Sequence, residues 1–277
     1  MRYLPHTEAE IQAMLGAIGA PSIDALFSDV PPAYRLNRPL ALEPALDEAS
    51  LMTHLEKLAQ KNDSARALSF LGAGLYDHHV PPAVDQLLLR SEFYTAYTPY
   101  QPEVAQGTLQ AIFEFQTMVA ELLGMEVANA SMYDGASAAA ESVTMARRLT
   151  GRSHVVISAG LHPEYLQTIQ TYVRNIDNGK PLLDVAKVGD DGRTDVADVE
   201  RLTSDETAAI VVGYPNFFGC VEDLAPLRAA ASRRGALLVT ATWEPYALSV
   251  LAPPGAFGAD IAVGEGQALA IGPQLGG

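Results

Sequence analysis

Tyrosines are concentrated in one short segment of the sequence, FYTAYTPYQPEVAQG, which spans residues 93–107. Four of its first eight residues are aromatic, although aromatic residues make up only 7% of the chain. A tyrosine supplies a rigid ring with a hydroxyl group, and a glutamine amide can also donate hydrogen bonds. Such side chains could line a binding pocket, or they could anchor a protein–protein interface, where tyrosine is enriched. The residue types leave both possibilities open.

A second candidate site is the turn YDGASAAAE at residues 133–141, which precedes a predicted helix. Ligands of parallel sheets bind at the carboxyl ends of the strands, beside helix N-termini. Gly135, Ser137 and the small residues after them would let a phosphate approach the backbone N–H groups of the helix start. Alternatively, Asp134 or Ser137 caps the helix, and the alanines let it pack closely on the sheet. The sequence does not decide between the two.

Histidines offer a third set of candidates. His162 follows the predicted strand HVVISAG, where its ring could stack on a planar cofactor or cap the next helix. His78 and His79 are adjacent, so their side chains point in different directions in regular structure. No HExxH or CxxC motif accompanies them, and we therefore expect no metal site.

The lysines argue against an independent pyridoxal-phosphate enzyme. The chain has four lysines, and the last of them, Lys187, leaves the final ninety residues without one. An enzyme of that type holds its cofactor through a lysine Schiff base. The late segment DIAVGEGQALAIG has Gln267, whose amide cannot form an imine. The segment GAGLYD has only two of the three glycines of a dinucleotide fingerprint, so it indicates no such site.

The pattern of predicted elements indicates an α/β fold. A capped helix is expected over residues 7–19, a second helix over residues 48–61 with Leu51, Leu55 and Leu58 on its apolar side, and a longer helix from Pro102 to about Leu123. Strands then alternate with helices. The predicted strand segments are EVANASMY, SHVVISAG, LLDVAKVG, AAIVVGYP, ALLVTAT and ADIAVG. Val-, Ala- and Ile-rich strands separated by helices predict a mainly parallel sheet covered on both faces.

Composition excludes several classes of function. The formal net charge of −15 provides no basic surface for nucleic acid, so no nucleic-acid partner is expected. The single cysteine, Cys220, favours a reducing compartment, and we interpret it as a structural residue. The N-terminus lacks the apolar core of a signal peptide, and no segment is long and apolar enough to span a membrane. A cytoplasmic location is expected.

Several motifs together resemble one known family. GAGLYDHHVPP, FYTAYTPYQPEVAQGTLQAIFEFQTMVAELLGM, YDGASAAAE, HPEYLQTIQT, YPNFFGCVEDL and APPGAFGADIAVGEGQ occur in the order typical of the P-protein of the glycine cleavage system, glycine decarboxylase. The resemblance covers nearly the whole chain. Because a Schiff-base lysine is missing, the chain resembles the half of a split P-protein that does not bind the cofactor, the α subunit or subunit 1.

The resemblance implies the fold of the fold-type I, aspartate-aminotransferase-like pyridoxal-phosphate enzymes. It implies a large domain over residues 101–277, preceded by a helical and extended region, residues 1–100, that wraps a partner. A small C-terminal domain, usual in the family, is expected to be missing from this chain. Gln267 then stands where the catalytic half has its lysine, and Gly135, Ser137 and His162 occupy former phosphate and ring contacts.

The resemblance also implies partners. A β subunit would carry the lysine and the pyridoxal 5'-phosphate and form αβ or (αβ)2 assemblies with this chain. Together they would decarboxylate glycine and transfer its aminomethyl group to the lipoyl arm of the H-protein. The expected substrate-binding residues, for a glycine carboxylate or the cofactor phosphate, are Tyr94, Thr95, Tyr97, Thr98, Tyr100 and Gln101.

Three hypotheses follow. The chain is an obligate enzyme subunit that contributes the tyrosine-rich segment to a shared active site. Alternatively, it is a stand-alone pyridoxal-phosphate decarboxylase, which the lysine positions oppose. The third possibility is a purely structural or regulatory partner of the catalytic subunit, without substrate contacts.

Overall fold

The fold is described from a computed structural model. It covers residues 5–63, 67–68, 70, 72, 76, 78–95, 97–174, 176 and 182–269. The chain divides into two compact units, residues 1–68 and residues 69–277. The expected division at residue 100 and the wrapping of a partner stay predictions.

The first unit contains two α-helices among its described residues, and the first of them begins at the predicted cap. In α1 (Glu8–Ile18), Thr7 and Glu10 form a capping box, and Gly19 ends the helix in the left-handed conformation. In α2 (Glu48–Ala59), the Asp47 carboxylate accepts a hydrogen bond from the Ser50 N–H. The extended segment between them contains two short 3-10 helices, Asp24–Phe27 and Pro32–Tyr34.

The apolar stripes of these two helices are mostly uncovered. In α1 only Leu15 is buried, and Met14 and Ile18 are exposed. Along α2 the predicted apolar positions are exposed as well, with Leu51, Leu55 and Leu58 each keeping 44–49% of their surface in solvent. The helical spacing of the apolar residues therefore predicts the two helices, but it does not indicate what covers their apolar faces.

The second unit contains a five-stranded sheet in which every described pairing is parallel. The strand order is β2-β1-β3-β4-β5. The strands are β1 (His154–Ser158), β2 (Leu183–Ala186), β3 (Thr207–Gly213), β4 (Leu237–Thr242) and β5 (Ile261–Gly264). These five strands lie within predicted strand segments, so the predicted α/β fold with a mainly parallel sheet flanked by helices is confirmed.

Helices cover both faces of this sheet. The helices of the second unit are α3 (Pro82–Leu88), α4 (Ser91–Tyr94), α5 (Gln106–Leu123), α6 (Gly135–Thr150), α7 (Pro163–Val173), α8 (Val196–Leu202) and α9 (Leu224–Arg234). Short 3-10 helices span Pro245–Ser249, Pro254–Phe257 and Gln267–Leu269.

Alternate residues of each strand point into two separate cores. Val155 and Ile157 of β1 belong to a cluster with residues of α6 and α7, while Val156 belongs to a cluster with residues of α8 and α9. All three side chains are fully buried. Because successive side chains of a strand point to opposite faces, a strand covered on both faces is apolar throughout.

Two sequence predictions in this unit were wrong in detail. The segment at residues 126–133 forms no strand, and Val127 and Tyr133 are strongly exposed. The long helix begins at Gln106 rather than Pro102. The Pro102 carbonyl accepts the Ala105 N–H at 3.2 Å and the Gln106 side-chain amide at 2.6 Å, which closes a separate turn before the helix.

Asp198 of α8 links the helix to the end of β2. Its carboxylate accepts the Lys187 N–H at 2.9 Å and two guanidinium donors of Arg201 at 3.0 and 2.6 Å. These contacts, the Lys187 N–H first and then Arg201, hold the pKa of Asp198 below its ordinary value. A carboxyl group whose pKa is lowered by folding stabilises the protein above its unfolded pKa, about 3.9.

We therefore expect Asp198→Asn to destabilise the protein at pH 7 and to have a progressively smaller effect as the pH falls through the folded pKa. Urea unfolding of both proteins at pH 7 and at the lowest pH where both fold measures this difference. Asp205→Asn is the matched control, because Asp205 is exposed and pairs with Arg234 at the surface. A difference between wild type and Asp198→Asn that does not shrink in acid would contradict the expectation.

Two further expectations concern the whole chain. Among the residues that the structure describes, no helix is long and apolar enough to cross a membrane. Cys220 is half-buried, and its Sγ lies 3.7 Å from the Asp191 carbonyl oxygen. The cytoplasmic location stays a prediction.

Candidate functional site

The tyrosine-rich segment forms an exposed loop between α4 and α5. We call residues 94–101 the aromatic loop. Its tyrosines keep most of their surface in solvent: Tyr94 is 68% exposed, Tyr97 is 80% exposed and Tyr100 is 77% exposed. Thr95, Thr98 and Gln101 are exposed as well. The structure thus presents all six predicted residues on the surface of the chain.

The hydrogen bonds and ring contacts that the structure describes for the aromatic loop join residues between 90 and 104. The Thr95 hydroxyl donates to the Ser91 carbonyl, and the Tyr100 N–H donates to the Thr98 carbonyl at 2.8 Å. The rings of Tyr97 and Tyr100 are 6.0 Å apart at an angle of 43°. The described part of the loop therefore has local hydrogen bonds, while Tyr97 and Tyr100 keep most of their surface in solvent.

Helix α5 carries this loop, and its far end is fixed by a close backbone contact. Gly124 ends α5 with φ 68°, and a Cβ atom there would lie 2.9 Å from Cγ of Pro253. A Cβ atom on Gly255 would overlap the Gly124 carbonyl oxygen. Only glycine allows two backbone segments to approach this closely.

The turn at residues 133–135 forms a capped helix start, as one of the two interpretations expected. The Asp134 carboxylate accepts the Ser137 N–H at 2.6 Å, and the Ser137 hydroxyl lies 3.3 Å from the Asp134 N–H. Gly135 and Ser137 are both buried in this first turn of α6. The predicted cap is therefore present.

A carboxylate of the same chain also contacts this helix start, and sequence reasoning missed it. Glu265, which follows β5, accepts the Gly135 N–H at 2.8 Å and the Tyr165 hydroxyl at 2.6 Å through the same oxygen, Oε1. Burial, and then the negative charge of Glu265, raises the pKa of the Tyr165 hydroxyl, which stays protonated and donates. The two donors are separated from Glu265 by 130 and 100 residues, so no local pattern could predict the contact.

His162 caps α7 and lies among aromatic rings. Its Nδ1 accepts the Glu164 N–H at 3.2 Å. Its ring centroid is 5.4 Å from Tyr165, 5.1 Å from Phe217 and 5.9 Å from Trp243. Through Tyr165 the histidine is connected to Glu265. The expected cap is therefore present, while stacking of His162 on a planar cofactor stays a prediction. The three rings described around it belong to this chain.

His78 contacts a carboxylate that follows β4. Its Nε2 is 2.8 Å from Glu244 Oε2, and its ring stacks on Tyr246 at a centroid distance of 5.6 Å. No group of three or more metal-ligating side chains occurs in the part of the chain that the structure describes.

Among the described residues, the hydrogen-bond donors at the carboxyl ends of the strands already have partners within this chain. The first N–H of α6 and the Tyr165 hydroxyl are already bound to Glu265, and three aromatic side chains surround His162. Gln267 lies in the short helix after β5, and its Oε1 contacts the Gly266 N–H at 3.2 Å. Lys187 follows β2, at the opposite edge of the sheet from β5. Lys180 lies outside the described residues.

The fold, with its candidate site at the carboxyl ends of the strands, is that of a class of proteins, the fold-type I pyridoxal-phosphate enzymes. The likeness extends to the sphingosine-1-phosphate lyase of Burkholderia pseudomallei, with a TM-score of 0.62, 15% identity and coverage of 84% of this chain and 57% of the lyase. At that identity the likeness shows the fold alone.

The family is narrower than the class. The family model for the glycine cleavage system P-protein matches residues 1–277, and the chain belongs to that family. A crystal structure of glycine decarboxylase (P-protein) in inhibitor-bound form matches with a TM-score of 0.83 and 48% identity, covering 100% of this chain and 61% of that one.

The names of curated relatives agree with this family. Probable glycine dehydrogenase (decarboxylating) subunit 1 from Sorangium cellulosum (strain So ce56) is 62% identical over 277 residues. The protein of the same name from Anaeromyxobacter dehalogenans (strain 2CP-C) is 53% identical over 277 residues. In both comparisons the match covers 100% of this chain but only 61% of the relative. The chain thus spans about three fifths of the length of these relatives.

Proposed function

We propose that this chain acts as subunit 1, the α subunit, of a glycine dehydrogenase (decarboxylating). With a β subunit that holds pyridoxal phosphate, it decarboxylates glycine and passes the aminomethyl group to the lipoyl arm of the H-protein. The observation that carries the proposal is the aromatic loop, whose Tyr97 and Tyr100 keep about four fifths of their surface exposed. Rigid aromatic side chains with free surface suit a site completed by another chain.

The chemistry explains the residue types in the loop. Pyridoxal phosphate, when bound, accepts the electrons of the bond that breaks as carbon dioxide leaves. The surrounding protein must then hold the glycine carboxylate in the correct orientation and keep water out. The hydroxyls of Tyr97 and Thr98 and the amide of Gln101 provide hydrogen-bond donors for a carboxylate, and the tyrosine rings provide rigid apolar walls.

The contact of Glu265 with α6 supports the assignment of the cofactor to the β subunit. A phosphate would need the donors that Glu265 already uses. The position of Lys187 agrees, because it follows β2 at the far edge of the sheet from β5. An αβ or (αβ)2 assembly follows from this division of roles.

Reconstitution of the two chains tests the proposal. We expect this chain alone to show no exchange between the glycine carboxyl carbon and bicarbonate, and the pair with the β subunit to show it. Borohydride reduction fixes a pyridoxyl group on its lysine, and mass spectrometry should then find it on the β subunit. A pyridoxyl group on any of the four lysines of this chain would refute the proposal.

A further inference from the structure

The start of α6 is an anion-binding position that the chain itself occupies. A helix N-terminus carries a partial positive charge of about half a unit, and its first N–H groups need acceptors. Glu265 Oε1 accepts the N–H of Gly135, the first residue of this 16-residue helix, at 2.8 Å. The same oxygen accepts the Tyr165 hydroxyl at 2.6 Å. The carboxylate therefore takes the place of an external anion.

Two groups lie directly beside Gly135. A Cβ atom on Gly135 would overlap the Tyr165 hydroxyl and lie 2.5 Å from Glu265 Oε1. The Gly135 N–H and the Tyr165 hydroxyl both donate to Glu265, so an external anion would compete with this carboxylate for the same two donors.

The backbone holds Glu265 in this position. Its N–H donates to the Thr242 carbonyl at 3.0 Å, which continues the pairing of β5 with β4 by one residue. A Cβ atom on Gly264 would lie 2.9 Å from the same carbonyl oxygen, so the strand end approaches β4 closely. Such a fixed backbone lowers the entropy cost of placing the carboxylate against α6.

We propose that Glu265 excludes a phosphate-bearing cofactor from this chain by occupying the N-terminus of α6, and that its removal restores phosphate binding there. The inference rests on the proposed function, in which the β subunit holds the cofactor. It goes further because it assigns the exclusion to one side chain and predicts a gain of binding when that side chain is shortened.

The test uses the full chain without a partner, inorganic phosphate as the probe, and constant ionic strength. For wild type we expect the melting temperature to be independent of phosphate. For Glu265→Ala we expect a saturable rise of about 2–4 °C, because a ligand that binds only the folded state stabilises it. Phosphorus NMR of the same samples should show line broadening with Glu265→Ala alone. If that variant does not fold, Glu265→Ser, which also shortens the side chain, replaces it with the same expectation.

Glu244→Ala is the matched control. It removes a carboxylate from the same edge of the sheet, where Glu244 contacts His78 rather than α6, and should show no response to phosphate. An equal rise in wild type or in this control would overturn the inference, as would a folded Glu265 variant without a response. A wild-type chain that forms a lysine-bound pyridoxyl group alone would refute the proposed function together with the inference. A folded Glu265→Ala chain without a response would overturn the inference alone, so the two failures are distinguishable.

Discussion

Replacing Tyr97 with phenylalanine or Gln101 with alanine lowers the exchange of glycine carboxyl carbon with bicarbonate in the reconstituted αβ pair by about 10- to 100-fold, the loss expected for one hydrogen bond to a charged group. Each change removes one donor from the aromatic loop. Tyr97→Phe keeps the ring and its packing, so it isolates the hydroxyl. Initial exchange rates at saturating bicarbonate measure the effect.

The assembly of each variant with the β subunit must be measured together with its exchange rate. Tyr172→Phe on α7 is the matched control, since Tyr172 is also partly exposed but lies outside the aromatic loop. We expect it to leave exchange unchanged. If both loop variants assemble with the β subunit and exchange at the wild-type rate, the loop is scaffolding. The chain would then be a structural or regulatory partner without substrate contacts.

Gly255→Ala is expected to destabilise the isolated chain by about 1–3 kcal/mol, because an added Cβ overlaps a carbonyl oxygen and forces the backbone to shift. The overlapping atom belongs to Gly124, the cap of α5, so the whole helix must move with it. Urea unfolding of the isolated chain measures the loss of stability. In the pair, the displaced helix should also lower the exchange rate, since α5 carries the aromatic loop.

Gly107→Ala provides the comparison on the same helix. A Cβ atom at Gly107 meets nothing within 4 Å. Alanine within a helix is about 0.5–1 kcal/mol more favourable than glycine, so this variant should be neutral or more stable. Equal stability losses for both variants would mean that the contact between Gly124 and Gly255 does not fix α5.

The sheet was predictable because its strands are rich in Val, Ile, Leu and Ala and each lies between turn signals. The prediction of a strand at residues 126–133 was wrong. In the described part of the chain this segment has no neighbouring strand to pair with, and an exposed strand without pairing is not stable. The helix caps at Thr7, Asp47 and Asp134 depend on residues three positions away, which a sequence displays directly.

The site was predictable only in part. The residue types of the aromatic loop marked it as a binding or interface segment, and the structure places them on an exposed surface. The choice between a cap and a phosphate site at α6 could not be made, because the deciding residue, Glu265, is 130 residues away along the chain. Trp243 and Phe217, which surround His162, were missed for the same reason, although Trp243 is the only tryptophan.

The carboxylate at α6 also changes what the stability of this subunit depends on. A fold completed by a diffusing cofactor is stabilised by mass action, so its stability falls when the cofactor is scarce. A carboxylate within the same chain is present at a high effective concentration set by the backbone. We therefore expect newly made copies of this chain to complete the first turn of α6 whatever the supply of pyridoxal phosphate.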